Sequence, residues 1–155
     1  IIFGTGFQST GFLTPMRVVG RAGRDLHQEW ADGAEAHLGI TVSGYPNLFV
    51  LYGPNTNLGH NSILFMIEQQ VGHVVQLLQR MVVERLAVVE VTPEAQARFD
   101  QFVDRAVANT VWAEDCSSWY KTDSGRVTNN WPAPTVAYRR QLRHPVRGDW
   151  AVRSR

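Results

Sequence analysis

Ile63, Ile67, Val71, Val74, Leu78 and Met81 recur at steps of three and four residues. That period lines one side of an α-helix, so it predicts a helix from about Ser62 to Arg85 with this stripe against a core. Asn61 or Ser62 suits its N-cap. Just upstream, Leu48 to Tyr52 is an unbroken apolar run, which predicts a strand over residues 47–52. Ala87 to Val91 reads as a short strand. Thr92-Pro93-Glu94 is a strong helix start, with threonine as cap, proline at the first helical position and an acid in the first turn. Phe99, Phe102, Val103, Ala106 and Val107 then share one face of a helix running to about Val111.

The flanks are less regular. Ile1 to Phe3 reads as the inside of a buried strand leading into the turn Gly4-Thr5-Gly6, and residues 7–16 read as irregular. Residues 17–43 carry short apolar segments between glycine turns, the pattern of β-hairpin material. From Glu114 the chain turns irregular and aromatic, and a short helix is expected from Thr135 to about Arg143. Strand, hairpin region, strand, helix, strand, helix and tail make an α/β class without repeat or linker.

Composition and charge narrow the possibilities. A length of 155 residues suffices for one domain with a sizeable core. A net charge of +1 points to no polyanionic partner, so a nucleic acid is not expected. No apolar run reaches the roughly 20 residues of a membrane span. The single cysteine, Cys116, cannot form an intrachain disulfide, which favours a reducing, cytoplasmic setting. The charge is uneven: from Arg126 onward there are seven arginines against one acid, Asp149. A solvated basic face is the commoner explanation and phosphate binding the sharper one. An apolar opening without methionine suggests a piece of something longer.

Three stretches carry candidate chemistry. "GTGFQS" at 4–9 imitates a dinucleotide-binding glycine loop, but Ser9 and Pro15 stand where a helix should open, so the glycines read better as a backbone crossing. The five histidines and Cys116 show no paired metal-ligand spacing. The turn Gly53 to Ser62 differs. A strand, a glycine-rich uncharged loop and a helix N-terminus form the arrangement that holds anions or polar cofactor edges, although an ordinary capped loop also fits. "SSWY" at 117–120 and "NNWP" at 129–132 place aromatics in loops, where they either pack a tail onto a body or stack on nucleotides.

The motifs also resemble a known family. "IIFGTGF" resembles the A-T-G-F/Y motif of flavin-containing and Baeyer–Villiger monooxygenases, with Gly4 where alanine is commoner. "HLGITVSGYPNLFVLYGPNTNLGHNSILFMIEQQ" at 37–70 resembles the segment that follows that motif in the superfamily, and "CSSWY" and "GRVTNNWPAPTVAYRR" resemble the end of the Baeyer–Villiger members. The G-x-G-x-x-G loops for FAD and NADPH, the family fingerprint and an arginine near the flavin have no counterpart in the sequence.

The resemblance therefore implies the C-terminal part of a class B flavoprotein monooxygenase. Residues 1–112 would be the C-terminal portion of a Rossmann-like FAD-binding domain, and residues 113–155 an irregular extension packed on it. In the family, FAD reduced by NADPH takes up O2 as a C4a-peroxide, which turns a ketone into an ester or lactone. The same resemblance implies that Asn61, Ser62 and Ile63 lie at the pyrimidine edge of the flavin, with His60 on the substrate side. It implies that Trp119 meets NADP and substrate, and that Thr5 and Gly6 mark the crossing between the FAD and NADP domains. No residue of the chain is expected to act as a catalytic group or metal ligand. The chain by itself, cut off from the rest of its FAD and NADP domains, is expected to bind neither nucleotide. The rival expectations are an N- or S-oxygenating flavin monooxygenase and a non-catalytic packing unit.

Overall fold

A computed structural model of the chain describes residues 1–4, 8–114 and 118–155. Among the described residues, four α-helices and one two-stranded sheet make an α/β arrangement. Helix α1, Leu26–Glu29, is a single turn capped by the Asp25 carboxylate, which accepts from the His27 and Gln28 N–H groups. Helix α2, Ile63–Val83, starts at Ser62, whose hydroxyl accepts from Phe65 N–H. Strand β1, Leu86–Val91, leads directly into α3, Pro93–Val107, capped by Thr92. Helix α4, Thr135–Leu142, and strand β2, Trp150–Ser154, complete the chain.

The main core lies where α2, α3 and α4 meet. It gathers Met66, Phe99, Val103, Trp131, Tyr138 and Leu142, together with Leu38, Ile40 and Leu58 from loops. A second cluster of Leu77, Val89, Val91, Ala95 and Trp150 fills the space between α2 and the sheet. The third, Leu26, Ala36, Val42 and Tyr45, supports the irregular region before residue 46. Glu90 on β1 ties that region down: its buried carboxylate accepts from Gly44 N–H and from the Arg21 guanidinium, both at 2.7 Å. A buried carboxylate needs such donors to offset its lost hydration.

Several expectations need correction. The fully buried face of α2 is Met66, Gln70, His73 and Leu77, turned from the predicted stripe: Ile63, Val74 and Met81 of that stripe pack half-buried against the cores, while Val71 and Leu78 are 42% and 45% exposed. The period is the predicted one and the phase is rotated by part of a turn. Gln70 and His73 face inward because buried groups on other segments take their hydrogen bonds, and counting apolar residues cannot see that. Residues 47–52 join no ladder: Asn47 and Tyr52 take left-handed φ of 59° and 57°, and Leu51 and Tyr52 at the end are exposed. Asn47 replaces strand pairing: its N–H donates to the Val89 carbonyl and its side-chain oxygen accepts from Val89 N–H, both at 3.0 Å. Ile1 to Phe3 form no strand and are exposed, having no neighbour to pair with among the described residues. The 17–43 region holds α1 and isolated bridges, Val19 with Asp25 and His37 with Thr41, rather than a hairpin. Helix α3 stops at Val107, and the chain tightens into the 3-10 turn Val111–Ala113, whose Thr110 cap takes the Trp112 N–H.

Strand β2 has no counterpart among the sequence expectations. It pairs antiparallel to β1, with Val91 opposite Trp150 and Val89 opposite Val152. Among the described residues no helix is long and apolar enough to cross a membrane.

Candidate functional site

The turn after Tyr52 divides into a sealed half and an open half. In the sealed half, residues 54–58 lie alongside residues 127–131. Asn55 N–H donates to the Thr128 carbonyl at 2.7 Å, Asn57 N–H to Asn129 at 2.9 Å, and Trp131 N–H returns to Asn57 at 2.9 Å. The Asn55 amide also donates to the carbonyls of Val127 and Asn130. Thr56 is completely buried and donates to the Gly53 carbonyl. The absence of charge in this half is therefore explained within the chain, since it is an enclosed segment whose Asn55, Thr56 and Asn57 side chains all hydrogen-bond inside the fold.

The glycines share that origin. Gly39 has φ of 67°, and a Cβ there would stand 2.7 Å from the Pro54 carbonyl oxygen; a Cβ on Gly53 would collide with the Gly39 carbonyl. These two loops touch backbone to backbone, and glycine permits it. A buried hydrogen-bond chain holds them in place. Tyr52 N–H donates to Gln70 Oε1 (2.8 Å), Gln70 Nε2 donates to the Tyr138 hydroxyl (2.8 Å), and that hydroxyl donates to the Leu38 carbonyl (2.6 Å).

The open half is Gly59 to Ser62, exposed at the N-terminus of the 21-residue α2. A Cβ at Gly59 meets nothing within 4 Å, so that glycine is not required by packing in this chain. The Asn61 side chain donates to Thr135 Oγ1 at 3.2 Å and accepts from Ser62 N–H at 2.7 Å, which anchors the turn to α4. Ile63 is half-buried against the main core. The N–H groups of Ile63 and Leu64 precede the first intrahelical bond and have no acceptor among the described residues. No carboxylate caps this helix end, since its first turn contains no acid. Exposed Asn61 and Ser62 and half-buried Ile63 thus form one edge, with exposed His60 beside them and the free N–H groups at Ile63 and Leu64.

Trp119 lies elsewhere. It is 61% exposed and stands edge-on to Tyr120 at 5.6 Å. With Phe12, Tyr52, Gly53, Asn57 and Asn129 it lines a cavity of about 210 Å³ on the sealed side of the loop. Ser9 closes one end: its hydroxyl donates to the Trp119 carbonyl, and its own carbonyl accepts from the Asn129 amide at 3.1 Å. Tyr52 donates to Asn57 Oδ1 at 2.7 Å. The cavity thus brings Trp119 to Gly53 but not to His60–Ile63. Thr5 and Gly6 lie outside the described residues, as does Cys116. Tyr52, Asn57 and Phe12 were not foreseen as site residues. The only signal for Tyr52 was its place before Gly-Pro, and its φ of 57° is visible only in the structure. Among the described residues no cluster of His, Cys, Asp or Glu can hold a metal ion.

Comparison with known proteins supplies the context. No family model matches the chain. It is 43% identical over 141 residues to a Baeyer-Villiger monooxygenase of Pseudomonas aeruginosa, covering 90% of this chain and 27% of that protein. It is 41% identical over 147 residues to the FAD-binding monooxygenase ktnD of Aspergillus niger, covering 92% of this chain and 24% of the relative. A solved structure of an oxidized steroid monooxygenase bound to NADP superimposes with a TM-score of 0.77 at 27% identity, over 90% of this chain and 27% of that one. The chain spans about a quarter of the length of these relatives. In sequence and in fold, the chain belongs to the Baeyer–Villiger family of flavoprotein monooxygenases.

Proposed function

We propose that this chain is the C-terminal part of an FAD- and NADPH-dependent monooxygenase that inserts one oxygen atom of O2 into a ketone, giving an ester or lactone. The observation that carries the reading is the carboxylate-free N-terminus of α2, where Ser62 caps only the Phe65 N–H and leaves those of Ile63 and Leu64 free among the described residues, beside a loop whose other half is sealed. Free N–H groups and the positive helix end suit an electron-rich edge such as N1–C2=O of a flavin. FAD would supply the oxygen chemistry and NADPH the reducing equivalents. The chain's own share is positioning. Asn61 and Ser62 hold the turn, Ile63 and Leu64 N–H groups meet the pyrimidine edge, and His60 faces the substrate. Trp119 closes over NADP and substrate, and Thr5-Gly6 carries the chain between the nucleotide domains.

Other features support a place inside a larger cytoplasmic enzyme. Leu64, Val71, Val75, Leu78 and Val82 form an exposed apolar stripe on α2, opposite its inner face. Such a stripe is what a helix of a Rossmann-like FAD-binding domain shows when the sheet it covers belongs to the rest of the protein. On this reading residues 1–112 complete that domain and residues 113–155 are an extension packed on it. The 155-residue chain alone turns over no ketone.

The test is made on the intact protein. It should purify with bound flavin and oxidise NADPH in proportion to added cyclic ketone, with lactone as the product by mass spectrometry. Exclusive formation of N-oxides or sulfoxides would transfer it to the heteroatom-oxygenating branch, and absence of flavin would end the proposal. Ile63→Asp sets a carboxylate at the donor edge and should lower the flavin midpoint potential or expel FAD.

A further inference from the structure

The basic tail noted in the sequence divides in the structure. Arg126 pairs with Glu35 and Asp104, and Arg147 pairs with Glu84. Arg139, Arg140 and Arg143 form no ion pair among the described residues, and neither do Arg85, Arg105, Arg153 and Arg155, whereas Arg17, Arg21, Arg24, Arg80 and Arg98 each find a carboxylate. What sets Arg139, Arg140 and Arg143 apart is that all three line one groove of about 460 Å³ between α2 and α4, with Gln69, Gly72 and Gln76 along the opposite wall. Among the described residues Glu68 is the only acid lining the groove. A helix C-terminus attracts cations, which accounts for arginines at the end of α4. It does not account for three of them converging on one cavity with a single carboxylate.

A second observation points to a ligand. His73, 2% exposed, lines the same groove and also the cavity next to it beside His37 and Trp150. Its Nδ1 is 3.0 Å from the Leu142 carbonyl, which can only accept, so Nδ1 carries the proton and neutral Nε2 presents a lone pair. Nε2 has no partner. A buried polar atom without a partner costs free energy, and a bound group with an O–H would satisfy it.

We propose that the groove between α2 and α4 is a binding site for a small phosphorylated molecule, a di- or oligophosphate, held by Arg139, Arg140 and Arg143. Guanidinium forks match phosphate oxygens in pairs. A hydrogen phosphate also offers the O–H that His73 Nε2 can accept. The volume exceeds what an inorganic ion needs, so an organic group can sit beside exposed Val136 on the rim. The groove is separate from the Gly59–Ile63 edge and from the Trp119 cavity, and the proposal does not depend on the flavin reading.

The test uses the intact protein and pyrophosphate as probe, with calorimetry for affinity and amide NMR shifts at Gly72 and Gln76 for location. Saturable binding that shifts both amides is expected. R139Q/R140Q should raise the dissociation constant by roughly tenfold or more, as loss of charge-assisted hydrogen bonds does, while flavin content and NADPH oxidation stay unchanged. R153Q/R155Q, which removes two arginines outside the groove, should leave binding as it was. Displacement by pyrophosphate of the protein from phosphatidic-acid vesicles would assign the same site to a lipid headgroup. Equal weakening by the two double variants, or no saturable binding, would overturn the proposal.

Discussion

Replacing Tyr138 with phenylalanine removes one oxygen atom from the centre of the molecule. Tyr138 is completely buried, and its ring meets Trp131 edge-on at 4.9 Å. Burial pushes its phenol well above the ordinary tyrosine range, so it stays a neutral donor. Tyr138→Phe keeps the ring packing and deletes two hydrogen bonds, one to the Leu38 carbonyl and one from Gln70 Nε2. The Leu38 carbonyl and one amide hydrogen of the buried Gln70 are left without partners. Each such group costs about 1–3 kcal/mol, so the loss should be about 2–6 kcal/mol. At roughly 2–4 °C per kcal/mol for a domain of this size, the melting temperature should fall by about 4–24 °C. Urea and thermal unfolding followed by tryptophan fluorescence measure this directly. Gln70→Leu should cost a similar amount, because it also orphans Tyr52 N–H. The double variant should show a coupling of at least about 0.5 kcal/mol, as contacting residues do. A Tyr138→Phe loss below about 0.5 kcal/mol with additive double-variant energies would refute the buried-network account.

Three further outcomes are expected. Burial holds His37 down at about 4, so the native ring stays neutral while the unfolded ring, ordinarily near 6.5, takes a proton. Stability should therefore fall as pH drops from 6.5 toward 4, by on the order of 3 kcal/mol, and His37→Phe should flatten that acid limb in pH-dependent urea titrations. Burial, and next Glu35, raises Asp100 to about 7 from 3.8; the native state then holds more protons than the unfolded one in that window and loses stability as pH rises through it. Asp100→Asn should raise the melting temperature more at pH 8 than at pH 5, measured by scanning calorimetry, and an equal gain at both values would contradict this. Gly53→Ala, whose Cβ would fall 3.2 Å from the Gly39 carbonyl carbon, should cost about 1–3 kcal/mol, while Gly59→Ala, with open space around it, should change stability by under about 0.5 kcal/mol; equal costs in denaturant unfolding would refute the loop-contact argument.

Helices α2, α3 and α4 were legible in the residues because their signals are local. Ser62 and Thr92 cap, Pro93 opens α3, and apolar residues repeat at the helical period. Strand β1 was legible too, as a short apolar run between two helices. The family was legible because motifs at 37–70 and 125–140 survive as contiguous text. What local signals leave open is which neighbour each face meets. The phase of α2 shifted because Gln70 and His73 found partners in Tyr138 and Leu142, 68 and 69 residues away. Strand β2 exists only because β1 offers it an edge. The uncharged turn at 53–62 read as one loop, yet tertiary contacts with residues 127–131 bury its first half and leave Gly59 to Ser62 open. Hydrogen bonds between distant segments decide such matters, since a buried polar group must find its partner wherever the fold brings one.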